Sequence, residues 1–114
     1  MGALKITLYG LTKVSLNAWY SGKHWSKRVK LKNDYKMLIK SQFKGVFRQD
    51  NRYNVTYDFV FRIKPLDASN CVAMVKLIED VIFKDDAYNI VESIKISSRK
   101  GSKDAVSVTI EKID

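Results

Sequence analysis

The sequence predicts an α+β fold, a two-layer sandwich in which a mixed sheet carries two helices on one face, and three observations support this. Apolar and polar residues alternate with strand-like period at 4–9, at 53–64 and twice more after residue 88. Residues 26–44 and 69–83 instead space their apolar side chains as a helix does. These segments interleave in the order β-α-β-α-β-β, with no repeat, low-complexity stretch or Gly/Ser/Pro-rich linker between them. A length of 114 residues with 46% apolar content suits one domain, 1–114, around a single core.

Leu4, Ile6 and Leu8 alternate with Lys5 and Thr7, which gives a first strand with one buried face, and Gly10 ends it. Residues 11–25 have no sustained period. The aromatic-rich piece from Asn17 through Trp19, Tyr20, Lys23 and His24 to Trp25 predicts a long, ordered surface loop. Ser26 offers an N-cap for a helix to about Lys44, with Leu31, Tyr35, Leu38, Ile39, Gln42 and Phe43 as its inward stripe. After a turn at Asp50 and Asn51, Tyr53, Val55, Tyr57, Phe59, Phe61 and Ile63 share one strand face, while Asn54, Thr56, Asp58, Arg62 and Lys64 occupy the other. Pro65 lacks an N–H and stops that ladder. A second helix, capped by Asp67 or Ser69, runs to Phe83 and buries a broad face containing Cys71, Met74, Val75, Leu77, Ile78 and Ile82. Two strands, Asn89–Ser98 and Asp104–Ile113, close the order as a hairpin in which Gly101 supplies a positive φ.

Composition narrows the function. No apolar run is long enough for a secretory h-region or a membrane span, so the expected location is the cytosol, with no membrane partner. One cysteine, Cys71, cannot form an internal disulfide, and with the one histidine, His24, it falls short of a zinc site. The net charge is +9 and is unevenly placed. Residues 1–52 hold twelve Lys/Arg against two acids, and 53–114 hold nine against ten, so the halves carry +10 and −1. Such asymmetry points to a polyanion, nucleic acid above all. A solvated basic surface, or a protein-interaction domain, is the plainer reading.

Arg28, Lys32, Lys36, Lys40 and Lys44 recur at every fourth position of the first helix. Like charges at that spacing repel by a few tenths of a kcal/mol per pair, a cost that an anionic backbone lying along the row removes. Trp19, Tyr20 and Trp25, interleaved with Lys23 and Lys27, are candidates for stacking on exposed bases, although at least one tryptophan is expected in the core. Among the acids, Asp67 precedes the second helix while Asp85 and Asp86 follow it. Hard oxygen donors of this kind suit Mg²⁺, which keeps waters and needs few protein ligands. A straight helix from 69 to 83 is about 20 Å long, so one ion shared by Asp67 and Asp86 requires the chain to fold back. Asp85 and Asp86 also read as an ordinary turn.

The run Leu66, Asp67, Ala68, Ser69, Asn70, then a helix with Lys76 and Asp80, then Phe83, Lys84, Asp85 and Asp86, resembles the RusA-type Holliday-junction resolvases of bacteria and phages. Their core reads Asp-x-Asp-Asn entering a helix, followed by an Asp-Asp pair. The resemblance implies a RusA-like domain over 1–114, active as a homodimer in a bacterial or phage-infected cell. It also implies cleavage of branched DNA with Mg²⁺, or Mn²⁺. By position, Asp67 and Asp86 become catalytic metal ligands with Asp85 beside them, Asn70 supports the motif, and Lys76 assists near the phosphate. Ser69 stands where the family has its second aspartate, which removes one metal-binding charge. Lys76 lies three residues further from Asn70 than the usual spacing. The alternative implied by Ser69 is a catalytically weak or inactive module of the same fold that grips branched or single-stranded DNA.

Overall fold

The clearest alternation in the sequence becomes one of the two inner strands of a four-stranded sheet. A computed structural model describes residues 3–20, 25–45, 52–83 and 90–113. Its elements are β1 (Ala3–Tyr9), α1 (Leu16–Tyr20), α2 (Trp25–Gln42), β2 (Arg52–Phe61), a 3₁₀ turn (Ala68–Cys71), α3 (Val72–Ile82), β3 (Val91–Lys100) and β4 (Ala105–Ile113). The sheet is mixed, in the order β1-β4-β2-β3: β4 pairs antiparallel with β1 and β2, and β2 pairs parallel with β3. Val55, Tyr57 and Phe59 stand opposite Ile110, Val108 and Val106, while Ile6 and Leu8 flank the last two from the other side. All of these are buried and share one face, so the helices that complete the core, through Tyr35 and Ile39 of α2 and Met74, Val75, Ile78 and Ile82 of α3, cover that face. The α+β class, the mixed sheet and the helices on one face are as expected. No helix among the described residues is long and apolar enough to cross a membrane.

The expected hairpin between β3 and β4 does not form. Instead β2 lies between them, and the route β2–α3–β3 is a parallel crossover. The reason lies in the side chains. Val106, Val108 and Ile110 of β4 are buried, which suits an interior strand, whereas β3 is rich in exposed Ser and Lys and tolerates an edge. Gly101 accordingly has no positive φ; among the described residues only Gly10 (78°) and Lys64 (45°) do. It is needed for close approach, since a Cβ there would stand 2.3 Å from Val60 Cγ1, and its N–H donates to the Phe61 carbonyl at 2.9 Å. Gly101→Ala is therefore expected to cost about 1–3 kcal/mol through overpacking, because a β-branched Val60 cannot swing aside. Adding Val60→Ala should return most of that loss, and additive costs in a denaturant double-mutant cycle would count against the contact.

Three smaller departures concern single segments or residues. Helix α1 replaces part of the expected loop, because Ser15 caps it: Ala18 N–H donates to Ser15 Oγ at 3.0 Å and Trp19 N–H to Ser15 O at 2.9 Å. Five residues are too few to show a helical period. Gln42, expected on the inward stripe of α2, is exposed and instead bridges to β1. Its Oε1 accepts from Tyr9 N–H at 2.7 Å and its Nε2 donates to Tyr9 O at 3.0 Å. Ile63 falls outside β2, which ends at Phe61, and is 59% exposed.

Candidate nucleic-acid and metal site

Between β2 and the 3₁₀ turn the chain must reverse, and the residues that do so carry Asp67. Lys64 takes a left-handed conformation immediately before Pro65, where proline already restricts its predecessor. Strain of this kind persists where surrounding contacts fix it. Here they come from three distant places. Lys13 Nζ donates to Ile63 O at 3.0 Å and Lys64 O at 2.9 Å, Arg62 N–H donates to Asp104 Oδ1 at 2.9 Å, and the Ser98 hydroxyl donates to Leu66 O. The turn itself closes through Asn70 N–H to Asp67 O at 2.8 Å.

Asp67 sits at the N-cap position of the 3₁₀ turn with extended backbone (φ −60°, ψ 149°), and its side chain makes no capping hydrogen bond. Its carboxylate is exposed. The capping role expected for Asp67 or Ser69 is thus not taken: Ser69 is exposed within the turn, and the residue preceding α3 is Cys71, which has no capping side-chain bond either. Asn70 is half-buried behind them. Asp85 and Asp86 lie outside the described residues. The next described residue, Ile90, accepts from Tyr53 N–H at 2.7 Å near the start of β2, whereas Asp67 follows the end of that strand. From Tyr53 to Phe61 an extended strand covers about 26 Å at ~3.3 Å per residue. A shared ion therefore depends on residues 84–89. Among the described residues no group of three or more His, Cys, Asp or Glu side chains is placed to hold a metal.

Lys76 is exposed on α3 and lines a groove with Trp19, Lys32, Leu77, Glu79 and Asp80; Asp67 is not among the residues lining it. Lys32 and Lys36 also face Asp80 across the gap between α2 and α3. An acid thus stands beside the lysine row, without an ion pair to Lys32 or Lys36 among the described residues. Arg28 leaves the row altogether. It is half-buried, donates from Nη2 to Trp19 O at 2.7 Å, and holds its guanidinium 5.3 Å from the Trp19 ring. This pair fastens α1 to α2, with Trp19 packed against the core rather than offered to a base. Lys27 and Lys44 are exposed and Lys40 is half-buried. Lys23 and the side chains of Tyr20 and Trp25 lie outside the described residues.

Glu79 of α3 is half-buried. Burial raises its pKa, Lys76 pulls it down and Asp80 pushes it up again. It in turn acts on Tyr57, whose hydroxyl titrates well above the usual range, chiefly through burial and then through Glu79. A raised carboxyl pKa means that folding favours the protonated form, so stability is lost as pH climbs from the ordinary glutamate value through the folded one. Glu79→Gln should therefore raise the melting temperature at pH 7, with the gain shrinking to nothing below about pH 4. An equal gain at both pH values would assign the effect to packing.

Comparison with protein-family models and with curated proteins finds no match.

Proposed function

We propose that this chain is a metal-dependent, structure-selective DNA endonuclease of RusA type that acts as a homodimer on Holliday junctions or other branched DNA. The observation that supports it is the Asp67 turn: an exposed carboxylate free of any capping bond, three residues after the strained Lys64, in a segment whose backbone is held from three sides. Fixing the backbone that leads to a charged side chain, at an estimated cost of about 1–3 kcal/mol for the strained Lys64, is what a preorganised site requires and a surface turn does not. Asp67 is a hard oxygen donor and fits Mg²⁺ or Mn²⁺, with Asp86 and Asp85 as the further ligands the motif supplies. Once bound, such an ion stabilises charge developing on a phosphodiester under attack by water. Asp67 would supply donor oxygens to that ion, the Asn70 N–H closes the turn that carries it, and the surrounding Lys and Arg residues draw in the backbone.

Ser69 supports a second reading, a binding module without cleavage, because a neutral hydroxyl replaces a ligating charge. A synthetic four-way junction incubated with and without Mg²⁺ separates the two. Nicked duplex products only with Mg²⁺ support the nuclease, a retarded but intact junction supports the binder, and neither would leave a protein-interaction domain as the reading.

A further inference from the structure

We propose that a basic concavity on the open face of the sheet, lined by Arg99, Lys100 and Lys103, binds the phosphodiester backbone of DNA. The face opposite the helices is polar, and among the described residues no element covers it. At the end where β2 finishes, it hollows into a depression of about 450 Å³ formed with Thr7, Tyr9 and Ser107. No acid lines it. The neighbouring Asp104 is turned to the Arg62 N–H instead. This contrasts with the groove between α2 and α3, where Glu79 and Asp80 stand among the lysines. Uncompensated cations in a concave setting concentrate positive potential, and the hydroxyls of Thr7, Ser102 and Ser107 add donors suited to phosphate oxygens.

All three cations are exposed. Lys103 Nζ lies 5.7 Å from the centre of the half-exposed Tyr9 ring, which keeps it over the depression. The surface is also coupled to the Asp67 turn. Gly101 N–H bonds to Phe61 O, and the Ser98 hydroxyl bonds to Leu66 O, so one segment of chain forms the basic floor and braces the turn. A strand gripped here is led to the same end of the sheet as Asp67. The choice of DNA as the polyanion rests on the function proposed above.

The test is a fluorescence-anisotropy titration of a labelled four-way junction with the full chain at several NaCl concentrations. Arg99→Ala with Lys103→Ala should weaken binding tenfold or more near ~0.1 M salt and flatten the log K against log salt slope by about 0.9 per lost phosphate contact. Lys32→Ala with Lys36→Ala should do less. The charge-keeping pair Arg99→Lys with Lys103→Arg should retain both affinity and slope, which distinguishes lost phosphate contacts from a disturbed fold. Wild-type binding that the double alanine variant reproduces in affinity and slope overturns this surface and leaves the DNA reading standing. Absence of binding by the wild type overturns both.

Discussion

Asp67→Asn is expected to abolish Mg²⁺-dependent junction cleavage, by about 100-fold or more, while junction binding stays equal or becomes tighter. The substitution keeps the shape of the side chain and removes its charge. Since the carboxylate makes no capping hydrogen bond, the turn loses nothing it needs for folding. What disappears is a hard anionic donor; ion-based stabilisation supplies several kcal/mol of a phosphoryl-transfer barrier, and each ~1.4 kcal/mol is tenfold in rate. Binding should not suffer, because a negative charge facing DNA phosphates has been removed. Single-turnover cleavage beside a binding titration reads both effects, and unimpaired cleavage by the variant would exclude Asp67 as a ligand. If the wild type binds without cutting, Ser69→Asp becomes the informative change. The added carboxylate, two residues from Asp67 on the same turn, should then bring Mg²⁺-dependent cleavage into view.

The second large effect lies in the core. Phe59→Ala should destabilise the fold by about 3–5 kcal/mol, against a total of about 5–15 kcal/mol for a domain of this kind. Phe59 is 1% exposed and is the middle ring of three on the buried face of β2, with centroids 6.4 Å from Tyr57 and 5.9 Å from Phe61. It also stands opposite Val106 of β4. Truncation opens a void bordered by two aromatic rings and a β-branched residue in an interior strand, none of which can close over it without breaking sheet register. The denaturant midpoint should fall steeply with an unchanged m-value. A loss below about 1 kcal/mol would mean that the core collapses around the site far more readily than this packing allows.

Features set by residues close in sequence were legible, and features set by distant ones were not. The period-2 run of Val55, Tyr57, Phe59 and Phe61 announces a strand because each side chain answers to the pleat alone. The broad apolar face of α3 is equally plain. By contrast, the partners of β4 depend on which strands most need burying, a comparison across the whole chain. Reading β3 and β4 as neighbours followed their adjacency in sequence, whereas the polar character of β3 was the signal that it belongs at an edge. The same division runs through the site. Asp67 and Asn70 stand out as a motif, but the clamp that fixes their turn uses Lys13, Ser98 and Asp104, and the lysine is separated from Ile63 by fifty residues. Arg28 belonged to a basic row by spacing, and only the arrival of Trp19 from α1 withdraws it from solvent.

The position of β4 has a consequence for how the molecule is made. Although β4 is the latest of the described strands to be synthesised, it is inserted between β1 and β2, and among the described residues β1 has no other partner in the sheet. During translation β1 must therefore wait, its apolar residues unpaired, while some hundred intervening residues emerge. The β2–α3–β3 unit is able to gather first, since its contacts lie nearer in sequence, and the sheet is completed only when the final ladder zips on both sides at once. Long-range closure of this kind slows folding and prolongs exposure of strand edges. On the ribosome, the stage most open to chaperone capture should be the one that ends with residues 105–113.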